Sequence, residues 1–179
     1  MALTFTRAST AKELHQILAL QQQNMAAGLS QEEALQEGFI TVGHTFEILK
    51  KMNDACSHII TKDGDNVVGY ALVMLRSFRD EIAVLRPMFD TADALLPNVN
   101  YVTMGQVCIA KSHRKQGIFK GMYTYYRQQL QAEFDSLFTE VATTNRRSLQ
   151  AHKAVGFEVL QTQITDGVSW ELINWDWTI

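Results

Sequence analysis

Two hydrophobic periods alternate along the chain, and the switches between them predict its elements in order. Leu3 and Phe5 mark a short first strand. Thr10 and Glu13 form a capping box ahead of a helix whose apolar stripe is Leu14, Ile17 and Leu18. Ser30 and Glu33 repeat that signal for a second short helix, and Phe46, Leu49 and Met52 make a third stripe before a strand at Cys56 to Thr61. Asp63-Gly64-Asp65-Asn66 has the composition of a hairpin turn. The strand after it, Val67 to Met74, is apolar on both faces, as expected in the middle of a sheet. The first half therefore reads as an antiparallel sheet with helices laid against it.

Residues 77–99 carry helical stretches at Asp80 to Phe89 and Thr91 to Leu96, which Pro87 and Pro97 are expected to interrupt. This segment is either an insertion that shapes a substrate pocket or a solvent-facing connector. Tyr101 to Ala110 then reads as a strand, Gly117 to Phe134 as a helix with its stripe at Phe119, Met122, Tyr123, Tyr126, Leu130 and Phe134, and Leu137 to Thr143 as a strand. Parallel strands need such a crossover. A short helix, Arg146 to Val155, stops at Gly156, and strands Phe157 to Ile164 and Val168 to Trp177 flank the hairpin signal Asp166-Gly167. Fold class is thus α/β (α+β), with a mixed, mostly antiparallel sheet of six to seven strands.

Length and charge sharpen this. A chain of 179 residues with 46% apolar and 20% charged positions fits one domain, residues 1–179. No apolar run is long enough for a signal peptide or a membrane span, so a cytoplasmic protein is expected. Cys56 and Cys108 sit in apolar runs without metal-ligand spacing, and both read as reduced, buried thiols; no metal is expected. A net charge of −3 argues against nucleic acid as a partner. The distribution says more than the sum. Lys111, Arg114, Lys115, Lys120, Arg127, Arg146, Arg147 and Lys153 face only Glu133, Asp135 and Glu140, a block of +5 in a chain that is −8 elsewhere. Such a block suits either a polyanionic ligand or a solvated helix face.

Within it, the run Ile109-Ala110-Lys111-Ser112-His113-Arg114-Lys115-Gln116-Gly117-Ile118-Phe119-Lys120-Gly121 takes the chain from a strand through a basic loop into a helix. First-turn amides are unpaired and carry the positive end of the helix dipole, and Gly117 lets an anion reach the backbone, so the junction suits a pyrophosphate. An overlapping run from Gly105 to Ser112 imitates a nucleotide triphosphatase phosphate loop, but its Val-Cys-Ile interior belongs in a strand. Further on, Asn145 stands at a strand-to-helix switch, where capping is the plain structural role. His152 shares a stripe with Leu149 and Val155, so its ring is expected to face the protein.

Arg114-x-x-Gly117 after a strand, followed by Asn145-x-x-Ser148-x-x-x-His152-x-x-x-Gly156-Phe157, resembles the GNAT superfamily of N-acetyltransferases, with the close match over roughly residues 104–157. The resemblance implies acetyl-CoA as co-substrate and an amine as acceptor, a GNAT-like sheet with helices on both faces, and a possible homodimer. It implies that the backbone of Val107, Cys108 and Ile109 pairs with the pantetheine arm. It also implies that amides from Lys115 through Gln116, Gly117, Ile118, Phe119 and Lys120 hold the pyrophosphate beside Arg114, and that Asn145 and Ser148 lie along the arm. His152 falls where many members carry a tyrosine that stabilises or protonates the departing thiolate; it becomes a candidate general acid or a cofactor contact. Phe119 departs from the family's usual small residue at that place.

The reaction expected is direct attack of a neutral amine on the thioester within a ternary complex, which needs a base. Glu140 is the candidate, with Glu47 and Glu171 behind it and a structural role as the alternative for each. A backbone N–H of Val107 to Ile109 would polarise the carbonyl oxygen. Rival readings are a non-catalytic acyl-CoA sensor, an O-acyltransferase and a thiol hydrolase on Cys108. Trp170, Trp175 and Trp177 are expected in the core, a pocket or a dimer contact.

Overall fold

The computed structural model describes residues 3–25 and 39–178. The helix expected around Ser30 and Glu33 lies outside them. Seven strands form one sheet: β1 (Leu3–Arg7), β2 (Ile59–Asp63), β3 (Asn66–Met74), β4 (Tyr101–Ile109), β5 (Ser136–Ala142), β6 (Glu158–Thr165) and β7 (Val168–Asp176). Their order is β1-β2-β3-β4-β5-β7-β6; every neighbouring pair is antiparallel except β4 and β5.

Alternation along the strands gives each face its own core. Ile60, Tyr70, Leu72, Met74, Tyr101, Phe138 and Leu172 pack against α1 (Ala11–Gln23), α2 (Phe46–Ala55) and α3 (Arg86–Leu95). Their sequence neighbours Ile59, Ala71, Val73, Val102, Leu137 and Ile173 pack against α4 (Ile118–Leu130), with α5 (Arg146–Val155) at the border of that face. A strand buried on both sides has to be apolar at every step, which is why β3 reads as a continuous run. Gly121 lets α4 pass close over β1, since a Cβ there would come within 2.4 Å of the Phe5 ring and push it aside. Among the described residues no helix is long and apolar enough to cross a membrane.

The capping box of α1 forms as expected: Thr10 Oγ1 accepts from the Glu13 N–H, and Glu13 accepts from the Thr10 N–H. Cys56 ends α2 instead of opening a strand. The segment before β4 differs more. Two 3₁₀ turns, Arg76–Asp80 and Ala83–Leu85, lead into a single helix, α3, and Pro87 starts that helix instead of breaking it. Proline suits a first turn because an N–H there has no helical acceptor to lose. Trp175 and Trp177 pack into the aromatic core around Tyr123, Tyr126 and Phe157, whereas Trp170 stands apart beside a cavity.

Candidate active site

The site begins where the sheet comes apart. The parallel register of β4 and β5 runs only from Tyr101–Ser136 to Thr103–Phe138. On its other side β4 carries one extra residue against β3, since Ala71 pairs with Val107 but Val73 with Met104. A bulge of this kind bends its strand and breaks the ladder locally. The last tie across the opening is Thr139 Oγ1 donating to Met104 O at 2.8 Å. Beyond it the Val107–Ile109 edge is left facing a gap.

On one side of the gap lies a cavity of about 230 Å³. Val107, Cys108 and Ile109 form one wall, Asn145, Arg147, Ser148 and Ala151 the other, and the loop from His113 to Phe119 one end. That loop holds two left-handed residues, Lys115 at φ 63° and Gly117 at φ 78°. No side chain caps α4, and a Cβ on Gly117 would meet nothing within 4 Å. Open amides at a helix start, with cations beside them, form an anion site. Arg114 anchors the loop, its Nε donating to Ile109 O at 3.1 Å and its guanidinium to Asn24 Oδ1 at 2.7 Å. Gln116 closes the loop through Ser112 O at 3.1 Å, and neither it nor Lys120 borders the cavity.

On the other side is a cavity of about 270 Å³, lined by Met104 to Val107 of β4 and Thr139 to Ala142 of β5. Its outer wall is Val84, Leu85, Pro87 and Met88, and its mouth is Thr165, Asp166 and Val168. Glu140 lies in it, and burial pushes that carboxyl up to about 7. A carboxylate ionises less readily when water is withdrawn and no cation replaces it. Glu47 sits exposed in the first turn of α2 and Glu171 faces a separate groove beside α5, so neither borders this cavity.

A strap joins the two sides. Ile40 N–H donates to Asn24 O at 3.1 Å, Asn145 Nδ2 to Phe39 O at 3.3 Å, and Gln106 Nε2 to Val42 O at 2.6 Å. Tyr70 OH fixes Gln106 in turn, donating to its Oε1 at 2.6 Å. Phe39, Ile40, Val107, Asn145 and Ser148 border both cavities. Asn145 also caps α5, its Oδ1 accepting from the Ser148 N–H at 3.3 Å.

His152 is fully buried. Its Nδ1 lies 2.8 Å from Ser148 O, which can only accept, so Nδ1 carries the proton. Nε2 then accepts from Tyr123 OH at 2.7 Å. Phe119, Tyr123 and Phe157 enclose the ring, and burial pulls its pKa down to about 4. Phe119 therefore has a packing role, with its ring 4.8 Å from that of Tyr123. Burial pushes the Cys108 thiol up to about 12, a value suited to packing and not to nucleophilic attack.

Sequence reasoning missed Asn24, Phe39, Ile40, Gln106 and Thr139, whereas the Val84–Met88 wall belongs to the 77–99 segment, for which a pocket-shaping insertion was one of two expectations. None of the missed residues carries a local motif; each reaches the site through topology.

The acetyltransferase (GNAT) family profile matches residues 14–157. No curated protein matches the sequence. Solved structures resemble the chain in fold. The ribosomal-protein-S18-alanine N-acetyltransferase from Escherichia coli is 11% identical at a TM-score of 0.65, covering 98% of this chain and 94% of its own. Ard1 from Thermoplasma volcanium is 13% identical at 0.68, covering 97% of each. The Salmonella typhimurium protein yncA, solved with its cofactor acetyl-CoA, is 12% identical at 0.64, covering 98% and 94%.

Proposed function

We propose that this chain, which belongs to the acetyltransferase (GNAT) family, moves an acetyl group from acetyl-CoA to an amine by direct attack within a ternary complex. One observation carries the reading: two cavities of opposite character meet at the gap between β4 and β5. One has cations and an uncapped helix start, and the other a half-buried carboxyl group.

The residues present fit the co-substrate. Amides of Lys115 to Phe119 would take its pyrophosphate, with Arg114 holding the loop in shape and Lys120 adding charge nearby. The open Val107–Ile109 edge would pair with the pantetheine arm as another strand would. Asn145 and Ser148 lie along that path. Acetyl-CoA supplies the activated thioester; the chain supplies the rest.

Glu140 is the base. A carboxyl near 7 is half ionised at neutral pH and close to the value that favours proton transfer there. It takes a proton from the acceptor's ammonium, directly or through water, so the nitrogen lone pair can attack. A β4 backbone N–H next to the bulge polarises the acetyl oxygen. We assign His152 a positioning role: neutral, with both nitrogens engaged, it locks α5 against α4 and so fixes Asn145 and Ser148. As the C–S bond breaks, the nitrogen gives up its second proton to water, and the departing thiolate takes one back from solvent.

Thermal unfolding with acetyl-CoA tests the binding half, because a ligand of the native state alone raises the midpoint. A rise in wild type that disappears in an Arg114→Ala, Gly117→Glu double variant is expected. Release of free CoA thiol on adding an amine tests the chemical half. No midpoint shift at saturating acetyl-CoA would sink the reading.

A further inference from the structure

The larger cavity also carries information about what enters it. Among the described residues no lysine or arginine lines it; its ionisable side chains are Glu140, Asp166 and the neutral His152. An acceptor bearing phosphate or carboxylate beside its amine would meet like charge there, and an ammonium would meet opposite charge. Apart from these groups and Thr165, the outer wall and mouth are apolar: Val84, Leu85, Pro87 and Met88 on one side, Val168 and Trp170 on the other.

That wall belongs to a segment rich in arginine, and the arginines are turned to other work. Arg76 and Arg79 both pair with Asp93, Arg79 also with Asp90, and Arg86 with Asp80. Tyr101 OH donates to Asp93 at 2.7 Å, and Thr91 Oγ1 donates to Gln163 Oε1 at 2.7 Å, which ties α3 to β6. The segment is thus braced from behind and presents hydrocarbon to the cavity. At the mouth, Val84 is 55% exposed and Val168 41% exposed. These are branched side chains that gain by being covered.

We propose that the acceptor is a primary amine carried on a single apolar or aromatic group, with the amine directed to Glu140 and the apolar group held between the Val84–Met88 wall and the Val168–Trp170 side. This rests on the acetyl-transfer reading of the same cavity. Asp166 at the mouth draws the ammonium in, and Glu140 further inside receives its proton. A free arylalkylamine and the first residue of a peptide with an apolar side chain present the same chemistry.

The test measures initial rates of CoA thiol release by the full chain at saturating acetyl-CoA. Four acceptors are compared: 2-phenylethylamine, a peptide with N-terminal phenylalanine, spermidine and glucosamine. At least one of the two phenyl-bearing acceptors is expected to exceed the polar pair in kcat/KM by about tenfold or more, the scale on which an apolar pocket discriminates; which of the two leads identifies the source. Val84→Asn and Val168→Asn replace exposed apolar side chains on different elements without adding charge, so folding and the pull on the ammonium are both spared. Each is expected to raise the KM of the preferred acceptor roughly three- to tenfold with kcat little changed, while the acetyl-CoA shift in midpoint stays as in wild type. Preference for spermidine or glucosamine, or an unchanged acceptor KM in both variants, would overturn the acceptor class while a normal acetyl-CoA shift kept the acetyl-transfer reading standing. An acetyl-CoA shift with none of the four acceptors consumed would overturn it too. Absence of that shift in wild type would remove the acetyl-transfer reading itself, and the acceptor class with it.

Discussion

The two cavities flanking the β4–β5 gap share five bordering residues, yet they are built by opposite physical means. The smaller one is a local construction. A strand end, a basic loop and a helix start follow one another from Ile109 to Lys120, and unpaired amides with nearby cations need little else to attract an anion. The larger one is a tertiary construction. Glu140, the Val84–Met88 wall, the strap and the β6–β7 hairpin come from four separate regions of the chain, and its character arises from what they exclude: water around one carboxylate, and every described cation. A binding site for a common ligand can be written in one stretch of sequence, whereas a site that must desolvate a proton acceptor has to be assembled.

The sharpest way to break this comparison is at Glu140. Glu140→Gln keeps shape and removes the proposed base, so kcat is expected to fall roughly 10²–10⁴-fold, while acetyl-CoA affinity is unchanged. In wild type, kcat/KM for the acceptor should rise as pH climbs through about 7, because the base works only when ionised. A pH–rate profile in which that limb survives the substitution would contradict the assignment.

On the other side, Arg114→Ala removes the anchor between Ile109 O and Asn24 Oδ1. An expected rise in acetyl-CoA KM of roughly 10–100-fold follows from the loss of charge-assisted hydrogen bonds, with kcat at saturation little altered. Steady-state kinetics at varied acetyl-CoA reads this directly. A fall in kcat of similar size would mean that the loop also shapes the acceptor side.

The same division explains what the sequence allowed. Strand alternation, the Thr10–Glu13 capping box and the Arg114–Gly117 and Asn145–Gly156 motifs are near-neighbour patterns, so the sheet, most helices and the residues of the proposed cofactor side were legible. Pro87 misled because its effect depends on where a helix starts, and that start was set by the preceding 3₁₀ turns. The β4 bulge and the parting of β4 from β5 leave no local trace, and Phe39 and Asn24 reach the site only through hydrogen bonds to partners far along the chain. Glu140 was visible as a carboxylate on a strand, but its raised pKa follows from burial that no single stretch encodes.

Acidity gives a smaller, separable effect. Burial pulls His44, His58 and His152 down from 6.5 to about 4. Between those values the unfolded chain binds more protons than the fold, so their contribution is complete above pH 6.5 and is lost as pH falls toward 4. Glu140 acts the other way, since its folded pKa is raised and its contribution shrinks as pH climbs from 4.5 through about 7. Three groups outweigh one, so the midpoint should drop by more than about 5 °C between pH 6.5 and 4.5; an unchanged midpoint would contradict the neutral, enclosed His152.

Asn145→Ala is the mildest change. It removes the α5 cap and the tie to Phe39 O. About 1 kcal/mol of stability should go with the cap, about 2–4 °C in the midpoint. Acetyl-CoA affinity should weaken severalfold at most, because the loop amides remain.

Calorimetric titration of acetyl-CoA into wild type, Gly117→Glu and Glu140→Gln tests the division itself. Gly117 lies at φ 78° with open space around it, so glutamate there strains the backbone and sets a like charge at the proposed pyrophosphate site. Equal binding by wild type and Glu140→Gln, with binding by Gly117→Glu weakened by more than about 100-fold, is the predicted result. Undiminished binding by Gly117→Glu, or no binding by wild type, would contradict the account.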